Sequence, residues 1–177
     1  VGRQLLENML QNMGGLSEKV KAKAMSCIGN FAKNQGDYVN ALLFHKESLK
    51  LYRELNDKDG ITASIHDMGI VTYEQGDYEN ARKLFEEQLE LNRKTEDKEG
   101  IATSLNDLGN MTYDQGDYEQ ARIYHEEALA LRKELGNKRA IASSLNNLGN
   151  VAYNQGDLKE AQELHEESLT LKRKLGD

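Results

Sequence analysis

Apolar and small residues recur along this chain at the spacing of a helix face, and the pattern restarts at short polar breaks. Ile101, Leu105, Leu108 and Thr112 follow the i, i+4, i+7 rhythm of one side of an α-helix. The next stretch repeats it, with Tyr118, Ala121, Tyr124, Ala128, Leu131 and Leu135 on one side and Glu119, Arg122, Glu126 and Lys133 on the other. Two helices separated by Gln115-Gly116-Asp117 are therefore predicted. Gly116 closes the first, because a residue without Cβ takes the left-handed conformation of a helix C-terminus at little cost. Asp117 is the predicted N-cap of the second, with Gln120 three residues on in a capping-box arrangement.

This two-helix pattern recurs every 40 residues. Gln-Gly-Asp stands at 35–37, 75–77, 115–117 and 155–157, with Ala41, Ala81, Ala121 and Ala161 and Leu49, Leu89, Leu129 and Leu169 in the same phase. Residues 98–137 and 138–177 agree at 21 of 40 positions, far above chance, so the repeat is genuine duplication. The predicted units are 19–57, 58–97, 98–137 and 138–177, with Asp57, Asp97 and Asn137 placed to cap each following helix. Residues 1–18 are read as the remnant of a preceding unit, including a short amphipathic helix over 4–13 that ends at Gly14-Gly15. Gly29, Gly69, Gly109 and Gly149 fall in mid-helix, where glycine costs about 1 kcal/mol relative to alanine. A cost repeated in register predicts a neighbouring helix passing too close for a Cβ.

Composition narrows the function classes. Hydrophobic residues make up 38% of the chain and charged residues 30%, with no Pro and no Trp. That is too polar for a deep globular core and too regular in its apolar spacing for disorder. The net charge of -7 speaks against nucleic acid, which needs a clustered basic face. No stretch approaches the roughly 20 apolar residues of a membrane span. Cys27 is the only cysteine, so no intrachain disulfide forms, and a reducing compartment such as the cytoplasm is expected.

The segment Asn106-Asp107-Leu108-Gly109-Asn110, followed by Tyr113, Gln115-Gly116-Asp117-Tyr118, Ala121, Ala128, Leu129 and Leu131, resembles the tetratricopeptide repeat. The resemblance covers about residues 19 to 177. It implies an all-α fold, a right-handed α-solenoid of four helix-turn-helix units. The usual period of about 34 residues is lengthened here, as in kinesin light chain, Pins-type spindle scaffolds and bacterial MalT-like and Rap-like regulators. The family's first-helix aromatic is replaced by Ala32, Thr72, Thr112 and Ala152. Its second-helix aromatic is replaced by His45, His125 and His165 and kept as Phe85.

The resemblance further implies a concave groove lined by the first helices, which receives an extended peptide. Its positions fall on Asn30 in the first unit and on His66, Asp67 and Tyr73 in the second. In the third they are Asn106, Asp107, Asn110 and Tyr113, and in the fourth Asn146, Asn147, Asn150 and Tyr153. The residues support two readings of this stripe. A primary amide donates and accepts at once, which suits a peptide backbone; the asparagines can equally bond across to the neighbouring repeat and set the stacking. Asn110 and Asn150 are the better candidates for ligand contact. Lys23 and Lys33 mark one end, whereas Asp67, Glu74, Asp107 and Asp114 make the middle acidic, so a ligand with a basic stretch is expected.

Catalysis, cofactors and metals find no support. Equivalent histidines in adjacent repeats lie about 8–10 Å apart, whereas zinc requires nitrogens about 2.1 Å from one centre. His45, His125 and His165 are thus read as residues of the seam between helices. Pairs such as Glu126/Glu127 point in different directions around a helix and form a solvated face. The expected function is a protein-interaction module within a larger regulatory or scaffolding protein. The alternative is the effector-sensing arm of a signalling ATPase or transcription regulator. The chain opens at Val1 and closes at Asp177 without a polar capping helix. It therefore reads as a segment, and its open end offers a route to end-to-end self-association.

Overall fold

The computed structural model describes residues 8, 9, 11 and 14–176. Eight helices follow one another without an intervening strand among the described residues: α1 (Glu18–Asn34), α2 (Tyr38–Glu54), α3 (Lys58–Glu74), α4 (Tyr78–Lys94), α5 (Lys98–Asp114), α6 (Tyr118–Leu135), α7 (Lys138–Gln155) and α8 (Leu158–Leu175). The chain divides into two compact units, Val1–Gln88 and Leu89–Asp177. In the first, α1 packs on α2 and α2 on α3; in the second, α5 packs on α6, α6 on α7 and α7 on α8. The short helix read over 4–13 lies largely outside the described residues. Met9 within it packs against the cluster of Met25 and Phe44.

Helix ends follow from local chemistry. Asp37, Asp57, Asp97, Asp117, Asn137 and Asp157 each accept, through the side chain, the backbone N–H three residues on. The capping box predicted at Asp117 forms only one arm. Gln120 N–H donates to Asp117 Oδ1 at 3.1 Å, but the Asp117 N–H already donates to the Thr112 carbonyl at 2.9 Å, beside Gly116 N–H on Tyr113. Those two bonds are the Schellman closure of α5, and they consume the donor that the returning arm would need.

The turns between units need the same left-handed residue. Gly136 supplies it at φ 69°, whereas Asn56 and Glu96 adopt φ 52° and 56° with side chains. A non-glycine residue there costs about 1–2 kcal/mol, less for asparagine. Replacing Glu96 by glycine is therefore expected to stabilise the second unit by about 1 kcal/mol. Urea denaturation tests this, and an unchanged or lowered midpoint would contradict it.

Packing explains the mid-helix glycines, with a difference from the expectation. What approaches each glycine is the flat ring of the second helix rather than helix backbone. A Cβ at Gly29, Gly69, Gly109 or Gly149 would lie 2.6–2.7 Å from a ring atom of His45, Phe85, His125 or His165 respectively. The histidine positions are therefore ring-on-glycine contacts inside each helical pair. Beside them, Ser48 and Ser168 donate to the carbonyls of Ala22 and Ala142 at 2.8 and 2.7 Å. Around these contacts lie the fully buried Ile65 and Val71 in the first unit and Leu105, Leu108, Met111, Leu145 and Val151 in the second.

Two assignments on α6 are corrected. Leu135, expected inside, is 44% exposed; it is the last residue of α6, next to the Gly136 C-cap. Arg122, expected outside, is largely covered and bonds Glu160 through two nitrogens at 2.8 Å. Gln155 accepts from the same guanidinium at 2.8 and 3.0 Å. The guanidinium presents its donors in a fixed fork, which suits this two-point contact.

Candidate functional site

The first helices of successive pairs lie side by side, α1 with α3 in one unit and α5 with α7 in the other. Helical periodicity turns one polar stripe of each toward the seam between them. In the second unit this stripe is built from amides. Asn147 Nδ2 donates to Asn106 Oδ1 at 3.1 Å and to Asn110 Oδ1 at 3.2 Å. Two turns further along α7, Asn154 Nδ2 donates to Tyr113 Oη at 2.7 Å. Arg132 reaches the same place from α6, giving Nη1 to Ser144 Oγ at 2.6 Å and to Asn106 Oδ1 at 3.2 Å.

In the first unit the same register carries charge. Ser26 Oγ donates to Asp67 Oδ2 at 3.1 Å, and Lys33 Nζ stands 3.9 Å from Glu74. These rungs join residues 41 apart, as Asn106–Asn147 and Tyr113–Asn154 do. Asp67 also faces His45 Nδ1 at 3.6 Å and His66 Nδ1 at 3.9 Å. Burial alone would raise the Asp67 carboxyl; the hydrogen bonds of His66 and Ser26 and the field of His45 outweigh it and hold the pKa below the usual range. Burial, with Lys33 nearby, lowers His45 despite Asp67. Burial, reinforced by Arg132, lowers His125 to about 4, so both rings are neutral at pH 7.

The candidate residues separate into groups. Asn106, Asn110 and Asn147 are brought together, and the side-chain oxygens of Asn106 and Asn110 with the NH2 group of Asn147 serve the stacking of α7 on α5. Tyr73 and Tyr113 lie against Tyr78 and Tyr118, with ring centroids 5.6 and 5.5 Å apart. His66 faces Phe85 at 6.4 Å. Asn30, Asp107, Asn146 and Asn150 are half-buried, and Tyr153 is 63% exposed. Asn146 and Asn150 have no side-chain partner among the described residues. Sequence reading missed Arg132, which is buried. Its phase is held by Tyr52 and Asn92 in the preceding repeats, so no recurring residue type marked it. The stripe offers hydrogen bonds and flat apolar area. Among the described residues no three His, Cys, Asp or Glu side chains gather as metal ligands, and no helix is long and apolar enough to cross a membrane.

The tetratricopeptide-repeat family model matches residues 21–94, 61–134 and 100–174. The chain belongs to the tetratricopeptide-repeat family. No curated protein matches it in sequence. Among solved structures, BtubC (BKLC) from P. vanneervenii superposes with a TM-score of 0.82 at 20% identity, over 98% of this chain and 73% of the other. The Rap conjugation gene regulator of plasmid pLS20, in complex with the Phr* peptide, gives 0.82 at 19% identity over 98% and 48%. The Signal Transduction ATPase with Numerous Domains protein with a tetratricopeptide repeat sensor, from Pyrococcus horikoshii, gives 0.81 at 20% identity over 97% and 27%. This chain thus spans less than half of the last two. At such identities the likeness shows the fold, an all-α tetratricopeptide-repeat arrangement.

Proposed function

We propose that this chain is a protein-interaction module whose first-helix stripes capture a peptide or a partner helix. The observation that carries the reading is the half-buried amide row of the second unit. Asn106 and Asn110 have only their oxygens engaged, Asn150 has its whole side chain uncommitted, and Tyr153 lies open beside them. Such amides satisfy the backbone of an extended ligand, which presents alternating donors and acceptors. The tetratricopeptide repeat is typically a non-catalytic interaction module, and the Rap neighbour bound to a peptide supports the same use here. Asp67 and Asp107 favour ligands with a basic stretch. The lone Cys27, exposed and unpaired, suits the cytoplasm.

Fluorescence-anisotropy titration of the whole chain with labelled extended peptides, lysine-rich or with lysine replaced by glutamine, tests this. N110A/N150A is expected to weaken binding about tenfold, the worth of one or two net hydrogen bonds. D67A/D107A should erase the preference for the lysine-rich set. Affinities untouched by either pair would sink the proposal. The likeness to the sensor of the Pyrococcus protein favours a second reading, an effector-sensing arm. It requires a nucleotide- or DNA-binding domain in the parent chain.

A further inference from the structure

We propose that the cleft between α2 and α4 of the first unit binds an acidic segment of a partner protein, in which carboxylate side chains flank an aliphatic one. The site stands apart from the first-helix stripe and has the opposite charge preference.

The cleft encloses about 340 Å³, at the small end of the range of about 300–1,000 Å³ seen in ligand pockets. Its floor is Met68 and Thr72, 8% and 6% exposed, with half-buried Leu42 and Leu84 beside them. The Thr72 hydroxyl donates to the Met68 carbonyl at 2.7 Å, so its polar atom is satisfied and the floor acts as an apolar surface. Exposed Lys46 and Lys83 stand at the rim, one on each helix.

Duplication provides a second copy of the same place with different chemistry. Leu42, Lys46, Asn80 and Lys83 correspond, two periods further along the chain, to Arg122, Glu126, Glu160 and Glu163. In the second unit the Arg122 guanidinium lies across this position and donates to both Glu160 and Gln155. The hollow left there is lined from residues 116–119 and reaches neither Leu148 nor Ala152. Those counterparts of the first unit's floor are 3% and 0% exposed. Leu42 offers no donor to Gln75 and no charge to Asn80, so in the first unit the floor stays within reach of a ligand.

The exchange also reverses the sign of the charge. The second unit sets three glutamates around one guanidinium, whereas the first has two ammonium groups and the single carboxylate of Asp77. Asp77 is occupied as a helix cap, accepting the Asn80 N–H at 3.3 Å and Asn80 Nδ2 at 2.7 Å. Lys83 pairs with Glu79 at 2.7 Å, but both are well exposed, where an ion pair is worth at most about 1 kcal/mol. Lys46 has no ion-pair partner among the described residues. An ammonium only donates and carries charge. Two of them around an apolar floor therefore select carboxylates over amides, with an aliphatic side chain between to cover Met68 and Leu84.

The test titrates the 15N-labelled whole chain with the end-capped peptide Gly-Glu-Leu-Glu-Gly and its neutral counterpart Gly-Gln-Leu-Gln-Gly. Saturable shifts centred on the backbone amides of Lys46, Thr72 and Lys83 are expected for the acidic peptide. The neutral peptide should bind about tenfold more weakly, as should the acidic one to K46E/K83E. That variant alters only exposed side chains, so the fold is not at issue. L42R/N80E installs the second unit's own Arg–Glu pair across the cleft without changing the net charge, and should abolish the shifts. No saturable shift, equal binding of the two peptides, or shifts centred on Asn110 and Asn150 would each overturn the inference. So would binding retained in either variant, since retention in L42R/N80E would reduce the effect to surface charge alone.

Discussion

Substituting Gly109 with valine is expected to destabilise the second unit by about 3 kcal/mol, the upper end of what overpacking a well-filled interior costs. A Cβ at Gly109 would sit 2.6 Å from His125 Cε1, 2.8 Å from Nδ1 and 2.9 Å from Nε2, so the whole ring lies flat across the Cα. The ring has no room to retreat, being 1% exposed. Any side chain gains helix propensity over glycine, up to about 1 kcal/mol for alanine, and the steric term is larger. Because the clash is pairwise, it should vanish with its partner. On a His125→Ala background the valine fills part of the space left by the ring, and the two changes should couple by more than about 1.5 kcal/mol. Urea denaturation of the single and double variants measures this. Strictly additive losses would refute the ring-on-glycine account. Gly149→Val should cost less, since His165 is only half-buried and has solvent into which to turn.

Acidification is the second large effect. His125 has an ordinary value of 6.5 that burial first, and Arg132 second, lower to about 4 in the folded chain. With the folded pKa below the unfolded one, the unfolded chain binds a proton below pH 6.5 that the folded chain refuses until about pH 4. Stability is therefore complete above pH 6.5 and declines as the pH falls toward 4. The slope is about 1.4 kcal/mol per pH unit and the total about 3 kcal/mol for this one group. His45 is shifted the same way by burial and adds to the decline. Asp67 acts in another window: its carboxyl is held below 3.8, so its contribution is present above that pH and lost only on stronger acidification. His125→Phe separates these effects. Phe85 already packs on Gly69 in the same register, so the ring contact survives while the titration disappears. Denaturation midpoints between pH 7 and 4 should then fall much less steeply for the variant than for the parent. Parallel profiles would show that the imidazole is not the group responsible.

The candidate site was legible in unequal parts. Asn106, Asn110, Asn147 and Tyr113 stand out in the sequence because asparagine is a mediocre helix former and returns on one stripe with the repeat. Their pairing was left open between ligand contact and cross-repeat bonding. The structure gives Asn147 to Asn106 and Asn110, and Asn154 to Tyr113. Helical periodicity says that two residues share a face; it does not say by how many residues the neighbouring helix is shifted, and the 41-residue offset of the rungs follows from that shift. Arg122 was misplaced for the same reason. Its partners Glu160 and Gln155 lie on the next pair of helices, beyond the reach of a pattern read on one helix.

By itself the sequence determined what depends on neighbours along the chain. The 40-residue period, the aspartate N-caps and the left-handed glycines at 36, 76, 116 and 156 are local, because backbone conformation and capping are settled within four or five residues. The small residue facing a bulky one was also visible as four glycines in register, although the partner proved to be a ring. Tertiary structure alone decided which polar groups are consumed in stacking and which stay available. Asn106 and Asn110 on α5 accept from Asn147 on α7, whereas Asn146 and Asn150 on α7 have no side-chain partner among the described residues. The two stripes are nearly identical in sequence, and what distinguishes them is the presence or absence of an amide donor within about 3 Å.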